Sequence, residues 1–379
     1  MKKIWLSPPH LSGNELQKIQ QVFQENWVAP VGPQISEFEA KISSCLESKD
    51  HHVVALNSGT SALHLALKLL NIGKDDVVIC QSLSFAASVN PVLYEGACPI
   101  FVDSEKETYN LSPYFLEEAI KSQIKKGKKP KAIIVVHIYG MPYKVDEIHR
   151  ISAEYEIPII EDAAEALGSR YKNRPCGSFG DLAVFSFNGN KIITTSAGGA
   201  LVCQDQIKKN KAIFWATQSK ENEDFYLHKE IGYNYRMSNV LAAIGLSQID
   251  VLEERVQKKR EIQQFYASFL NDIEGCGIFN EFSSEYKSNH WLSILEIDPE
   301  KAQISPLELM NKLAERTIES RRIWKPLHTQ PIFAEFDFYG NGVAEEIFEN
   351  GLCLPSGTAM TTTELDFIKT EILNILKHG

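Results

Sequence analysis

Lys191 stands in Asn188-Gly189-Asn190-Lys191, a polar turn between two strand-like runs, DLAVFSF and GALVC. Ser186 and the pair Thr194 and Thr195 surround it with hydroxyls. A lysine whose amine is partly desolvated gives up its proton more easily and becomes a nucleophile toward aldehydes and ketones, the chemistry of a Schiff base. A single lysine on a turn also suits solvated surface, so the reading needs partners. Glu161-Asp162 ends the run IPII. A carboxylate there would sit buried under a ligand and need a cation or a protonated nitrogen; it could equally cap a helix opened by AAEALG. Ser58-Gly59-Thr60-Ser61 follows HHVVALN and opens a helical pattern. Its glycine permits close backbone approach, its hydroxyls donate, and a helix N-terminus favours an anion. Taken alone, it is also an ordinary Ser/Thr helix cap.

An anion cradle, a carboxylate and a lysine together meet the needs of pyridoxal 5′-phosphate (PLP): a phosphate cup, a partner for the pyridinium nitrogen and an amine for the aldehyde. The chain contains neither G-K-[ST] after a P-loop nor G-x-G-x-x-G, which counts against nucleotide cofactors.

These residues need a scaffold that gathers strand ends. Short apolar runs alternate with helical patterns through the first 245 residues: HHVVALN (51–57), DVVIC (76–80), CPIFVD (98–103), KAIIVVHIYG (131–140), EIPIIED (156–162), DLAVFSF (181–187) and GALVC (199–203). Continuous apolar runs suit strands buried on both faces, as in a parallel sheet. Helices are expected over SALHLALKLL (61–70) and VDEIHRISAEY (145–155). The alternation predicts a doubly wound α/β domain, whose ligands bind beyond the carboxyl ends of the strands. A helical pattern from about Ser238 to Leu270 passes from apolar to charged and reads as a helix leaving one core for another. The expected units are 1–250, a large α/β domain, and 251–379, a smaller α+β domain with HWLSILEID, SPLELMNKLAER and TELDFIKTEILNIL. KKGKKPK (125–131) reads as a solvated loop before a strand.

The 379 residues are 44% hydrophobic and 23% charged, ordinary globular values. A formal net charge of −10 argues against a nucleic-acid partner, which would need a basic face. Seven cysteines, none in C-x-x-C spacing, argue against a zinc site or a disulfide framework. No metal ligand set is expected. No window reaches the ~20 apolar residues of a membrane span, and MKKIWLSPPHLSGNE has no apolar stretch of signal-peptide length. The expected location is a reducing cytoplasm.

LSPPHLSGNE, NSGTSALHLAL, SLSFAASVNPVLYEGACPIFVD, VVHIYGMP, IIEDAAEALGSRYKNRPCGSFGDLAVFSFNGNKIITTSAGGALV and GYNYRMSNVLAAIGLSQ follow one another in this chain. In that order the sequence resembles, over nearly its whole length, the DegT/StrS family of sugar-nucleotide aminotransferases, fold-type-I PLP enzymes. The resemblance implies that Lys191 binds the cofactor aldehyde and that Asp162 keeps the pyridine nitrogen protonated. It implies that Gly59, Thr60 and Ser186 hold the phosphate, that Phe85 lies against the ring, and that Glu165 stands where glutamine often lies near the ring hydroxyl. Asn234, in GYNYR, matches an asparagine that reaches the phosphate from the other subunit, which implies a homodimer with shared sites. Arg236 is implied as a contact for the amino donor's carboxylate. Sugar-nucleotide contacts are implied for Asn26, Trp27, Val28, Ala29, Ser58, Asn188, Asn190, Trp324, Lys325 and His328. Inter-domain packing is the competing reading of Trp324 and His328.

Two departures stand out. Many members carry histidine where this chain has Asn188, and an acidic residue where it has Ala197. The form NGNKIITTS looks most like the UDP-N-acetylbacillosamine-type transaminases. That likeness implies ping-pong transfer of an amino group from L-glutamate to C4 of a nucleotide-linked 4-keto-6-deoxy sugar, UDP-2-acetamido-4-keto-2,6-dideoxyglucose. The alternatives are a GDP-perosamine synthase type, which usually carries F-F-G-N-K with E-G-G, and a dTDP-keto-sugar aminotransferase. A PLP-dependent sugar dehydratase would have histidine in place of Lys191. A non-catalytic PLP-binding regulator would have no need of Asp162 or Lys191.

Overall fold

The structure is a computed structural model and describes residues 2–48 and 50–378. Met1 and Gly379, the outer bounds of the two expected units, lie outside the described residues. In chain order the strands are β1 (His52–Leu56), β2 (Val77–Gln81), β3 (Cys98–Val102), β4 (Ala132–Val136), β5 (Ile159–Asp162), β6 (Arg170–Tyr171), β7 (Arg174–Pro175), β8 (Leu182–Ser186), β9 (Gly199–Cys203), β10 (Cys276–Ile278), β11 (Tyr286–Lys287), β12 (Ser293–Ile297), β13 (Arg321–Arg322), β14 (Phe338–Tyr339) and β15 (Gly351–Leu354).

The main sheet has eight strands in the order β1-β9-β8-β5-β4-β2-β3-β14. From β14 to β8 every pairing is parallel, while β9 runs antiparallel to both β8 and β1. The apolar runs explain the layers. Alternate side chains of a strand point to opposite faces. Val53, Ile79, Ile133 and Phe185 therefore pack into one cluster, and Val54, Val78, Ile134 and Val184 into another across the sheet. Each such fully buried side chain contributes about 1.5–3 kcal/mol. The expected α/β architecture is present, with the antiparallel β1 and β9 as an addition to the parallel pattern. Continuous apolar runs do not encode strand direction, so this addition was not legible.

Two further differences bear on the site. KAIIVVHIYG does not continue as a strand: β4 stops at Val136, and Tyr139 adopts a left-handed φ of 54° in the following turn. The pattern 238–270 forms two helices, Asn239–Ile249 and Leu252–Leu270, with non-helical Val251 between them. The first is buried on nearly all sides in the large unit, through Ala242, Ala243, Gly245 and Leu246. The second turns its buried stripe, including Ile262, Tyr266 and Leu270, to a separate cluster with Leu295, Leu352 and Ile368. Two different packing partners require a change of axis. That second cluster lies against a four-stranded sheet, β10-β12-β15-β13. A small ribbon, β11-β6-β7, pairs residues 170–175 with residues 286–287.

The N-terminal segment bridges the residues before β13 and the helix Asn239–Ile249. Ile4 N donates to Thr317 O at 2.9 Å and Leu6 N to Glu319 at 3.0 Å, while Gln248 donates to His10 O at 3.1 Å. Among the described residues no helix is long and apolar enough to cross a membrane.

Candidate active site

The carboxyl ends of β1, β5 and β8 lie on one edge of the main sheet, beside the start of β9. There Ser58 caps the helix Gly59–Leu69, its Oγ accepting from Ser61 N at 3.0 Å. The cap reading of Ser58 is thus realised. It leaves Gly59 N, Thr60 N and the Thr60 hydroxyl without an acceptor or partner among the described residues. These are orphan donors at the positive end of a helix. Two glycines make the turn possible. A Cβ on Gly59 would lie 3.2 Å from Ser186 Cβ, and one on Gly199 would lie 2.3 Å from Gly59 N. Ser186, Gly59 and the end of β9 therefore form one compact cup.

Asp162 ends β5 on this edge, 7% exposed. Ser88 Oγ donates to Asp162 Oδ2 at 2.6 Å and Ala164 N to Oδ1 at 3.1 Å. Residues 163–169 form turns, so the alternative role of Asp162 as a helix cap does not apply. Glu161 points the other way. It is fully buried and accepts from His137 Nε2 at 2.8 Å, from Gly177 N at 2.9 Å and from Gly180 N. Burial alone would raise its pKa, but these donors outweigh burial and hold the carboxyl below its ordinary range.

Lys191 lies in the connection from β8 to β9, and its N–H donates to Asn188 O at 3.0 Å. The connection spans twelve residues, longer than a hairpin turn. Thr194 and Thr195 do not face the amine: their hydroxyls donate to the carbonyls of Phe187 and Ala197, closing the loop on itself. The partners of the amine are others. Glu165 Oε1 lies 3.6 Å from Lys191 Nζ, and the Trp291 ring centroid lies 4.3 Å away. Burial pushes the Glu165 carboxyl above its usual range, with Lys191 opposing the shift.

The remaining expected residues divide. Phe85 is 56% exposed, three positions before Ser88, and its ring lies 5.3 Å from that of Trp324. Asn188 is exposed, its side chain free of hydrogen bonds among the described residues, and Asn190 is exposed on the same turn. Lys325 is exposed. His328 is engaged by Ser82 Oγ at 2.6 Å and Glu345 at 2.9 Å, and stacks on Phe338 at 3.7 Å. That is the packing arrangement. The segment Asn26–Ala29 docks on Asn239: Trp27 O and Ala29 O accept from it, and Trp27 and Val28 stay half-exposed. No hydrogen bond joins this segment to Lys191 or Asp162. Asn234 is exposed; its carbonyl accepts from Asn57 Nδ2 at 3.1 Å. Arg236 is committed elsewhere, donating to Glu39 and to Ala55 O at 2.9 Å. The structure does not bring its guanidinium to the amine.

Sequence reasoning missed Tyr139, Trp291, Ser88 and Lys259. Tyr139 N donates to Glu165 Oε2 at 2.7 Å, and its ring lies nearly parallel to those of Trp291 and Trp324, at 6.2 and 6.5 Å between centroids. With Asn190, Trp5 and Arg321 these aromatics line a cavity of about 410 Å³. VVHIYGMP carried a usable signal for Tyr139, an aromatic at a strand end before glycine. A lone tryptophan 100 positions after Lys191 carried none.

The donor set fits PLP: orphan N–H groups and hydroxyls for a phosphate, a buried carboxylate for a ring nitrogen, and an amine between a carboxylate and an indole. Comparison with known proteins agrees. The sequence profile of the DegT/DnrJ/EryC1/StrS aminotransferase family matches residues 9–373. EpsN of Bacillus subtilis (strain 168), assigned by its name to the pyridoxal phosphate-dependent aminotransferases, is 45% identical over 100% of this chain and 96% of its own length. GDP-perosamine synthase of Escherichia coli O157:H7 is 35% identical over 97% of each chain. Spr1654 of Streptococcus pneumoniae, assigned by its name to the sugar aminotransferases and solved in its PLP form, superposes with a TM-score of 0.89 at 25% identity, covering 99% of both chains. The chain belongs to the DegT/DnrJ/EryC1/StrS aminotransferase family and is a PLP-dependent sugar aminotransferase.

Proposed function

We propose that the protein moves an amino group from L-glutamate to C4 of UDP-2-acetamido-4-keto-2,6-dideoxyglucose. The observation that carries this reading is the Lys191 amine, 3.6 Å from Glu165 on the sheet edge that also presents Asp162, Gly59 and Thr60. PLP, when bound, supplies an electrophilic carbon and an electron-withdrawing ring that stores the amino group between the two half-reactions. Asp162 holds a proton at the ring nitrogen. Gly59 N, Thr60 and Ser186 hold the phosphate. Lys191 Nζ moves a proton to and from the substrate carbon that loses or gains the amine. Glu165, whose carboxyl burial raises above its usual range, takes up or gives a proton beside that amine. In this reading residues 1–250 hold the cofactor, and 251–379 supply Trp291 and the far wall of the cavity.

The UDP sugar is favoured by the turn Asn188-Gly189-Asn190-Lys191. Asn188 puts an unengaged amide, both donor and acceptor, beside the reactive lysine, where a 2-acetamido group can use both functions. A GDP-4-keto-6-deoxymannose substrate is the second reading, favoured by the 35% identity to GDP-perosamine synthase of E. coli. The two sugars should be offered separately with glutamate. Amino-sugar formation from the UDP sugar is expected; preference for the GDP sugar would overturn the first reading.

The working unit in this proposal is a homodimer. Asn234 is exposed, and within nine positions before it in the chain Phe225, Tyr226 and Ile231 are 59%, 81% and 80% exposed. A second copy would cover that apolar surface and receive the Asn234 amide at its phosphate cup. Seven unpaired thiols suit a reducing cytoplasm.

A further inference from the structure

Lys259 lies on the helix Leu252–Leu270 and is 2% exposed. Its Nζ donates to Ser7 Oγ at 3.0 Å and to Trp291 O at 2.8 Å. Among the described residues no carboxylate pairs with it, and burial pushes its pKa down to about 7. A buried, unpaired amine destabilises a fold unless its donors are used.

Both acceptors lead to one atom. Ser7 Oγ donates to Asn190 O at 3.4 Å, and Trp291 Nε1 donates to the same carbonyl at 2.7 Å. That carbonyl belongs to the peptide bond that enters Lys191. The indole of Trp291 also lies 4.3 Å from Lys191 Nζ. Three segments far apart in sequence, at Ser7, Lys259 and Trp291, thus close a hydrogen-bonded ring around the peptide that carries the reactive amine.

We propose that Lys259 is a positioning residue for Lys191: by clamping Ser7 and Trp291 it fixes the Asn190–Lys191 peptide and registers the amine to the four-stranded sheet. The inference rests on Lys191 being the lysine that binds PLP. A mere packing role would affect stability and leave the amine alone; a positioning role acts through Lys191 and vanishes when Lys191 is removed.

The test uses the full chain, stripped of PLP and reloaded. Lys259→Met is made alone and with Lys191→Ala, and Ser7→Ala is made alone. The readouts are thermal midpoint, PLP dissociation constant by fluorescence, and the rate of forming a borohydride-reducible link. Lys259→Met should fold with an undiminished midpoint, form the link at least tenfold more slowly and hold PLP more weakly. In the Lys191→Ala background it should change the dissociation constant less than twofold. Ser7→Ala should slow the link about threefold. An unchanged rate in Lys259→Met, or equal weakening in both backgrounds, would overturn the proposal. Should Lys259→Met not fold, an unchanged rate in Ser7→Ala overturns it and a slowed rate supports it. A reducible link formed by Lys191→Ala itself would instead refute the underlying assignment of Lys191.

Discussion

Glu165 Oε1 lies 3.6 Å from Lys191 Nζ, while Glu165 Oε2 accepts the N–H of Tyr139 at 2.7 Å. One buried carboxylate therefore joins Lys191 to Tyr139, the left-handed residue in the turn after β4. Glu165→Gln keeps an acceptor for Tyr139 and removes the carboxylate partner of the amine. Capture of PLP by the stripped protein should slow by about threefold or more at neutral pH. An unchanged rate would show that the pair does not position the amine.

Asp162 is fixed by Ser88 and by Ala164 N, so the role proposed for it at the ring nitrogen can be separated from its geometry. Asp162→Asn is nearly isosteric and cannot hold a proton at the ring nitrogen. It should lower kcat/KM for glutamate by about a hundredfold, about 2.7 kcal/mol of barrier. Ser88→Ala, which only loosens Asp162, should cost about tenfold. Stopped-flow measurement of the glutamate half-reaction reads both.

How much of this was legible in the sequence follows from what each signal encodes. Strand ends and helix starts are local, so Ser58–Thr60, Asp162 and Ser186 could be placed from apolar runs and cap residues. The amine's surroundings are not local: Trp291 reaches Lys191, and Ser7 and Trp291 reach the Asn190 carbonyl, only through packing of segments far apart in the chain. Arg236 shows the reverse case. The resemblance implied it as a contact for the amino donor's carboxylate, yet the buried Glu39 of an N-terminal helix takes its guanidinium. An ion pair between residues 197 positions apart leaves no pattern in either segment.

Glu281 fixes the segment that presents Trp291. It accepts from Arg260 and from Ser288 N at 2.8 Å, and it lies near His290. Burial would raise its pKa, but His290 and Arg260 outweigh burial and bring it from 4.5 to about 2. The folded-state pKa is depressed, so the stabilisation is complete above about 4.5 and is lost as pH falls toward about 2. It amounts to about 3 kcal/mol at most. Glu281→Gln should lower the denaturation midpoint at pH 7 and flatten its decline between pH 4.5 and 2. Parallel declines for both proteins would remove Glu281 from the acid response.

The shared-site dimer predicts complementation. Lys191→Ala and Asn234→Ala homodimers should each be inactive or nearly so. Subunit exchange between them should recover activity, because one of the two sites in each mixed dimer has both residues. Recovery approaching one quarter of the parental rate is expected from random mixing of equal amounts, since half the dimers are mixed and each has one good site. No recovery, with exchange demonstrated by mass, would place Asn234 in the site of its own subunit.

Lys191 is proposed as the lysine that binds the cofactor aldehyde. Borohydride reduction of the PLP-loaded protein, followed by proteolysis and peptide mass spectrometry, reads this directly. A pyridoxyl adduct on Lys191 alone, lost when glutamate is added before the reductant, is the expected result. An adduct on any other lysine, with Lys191 unmodified, would refute the assignment.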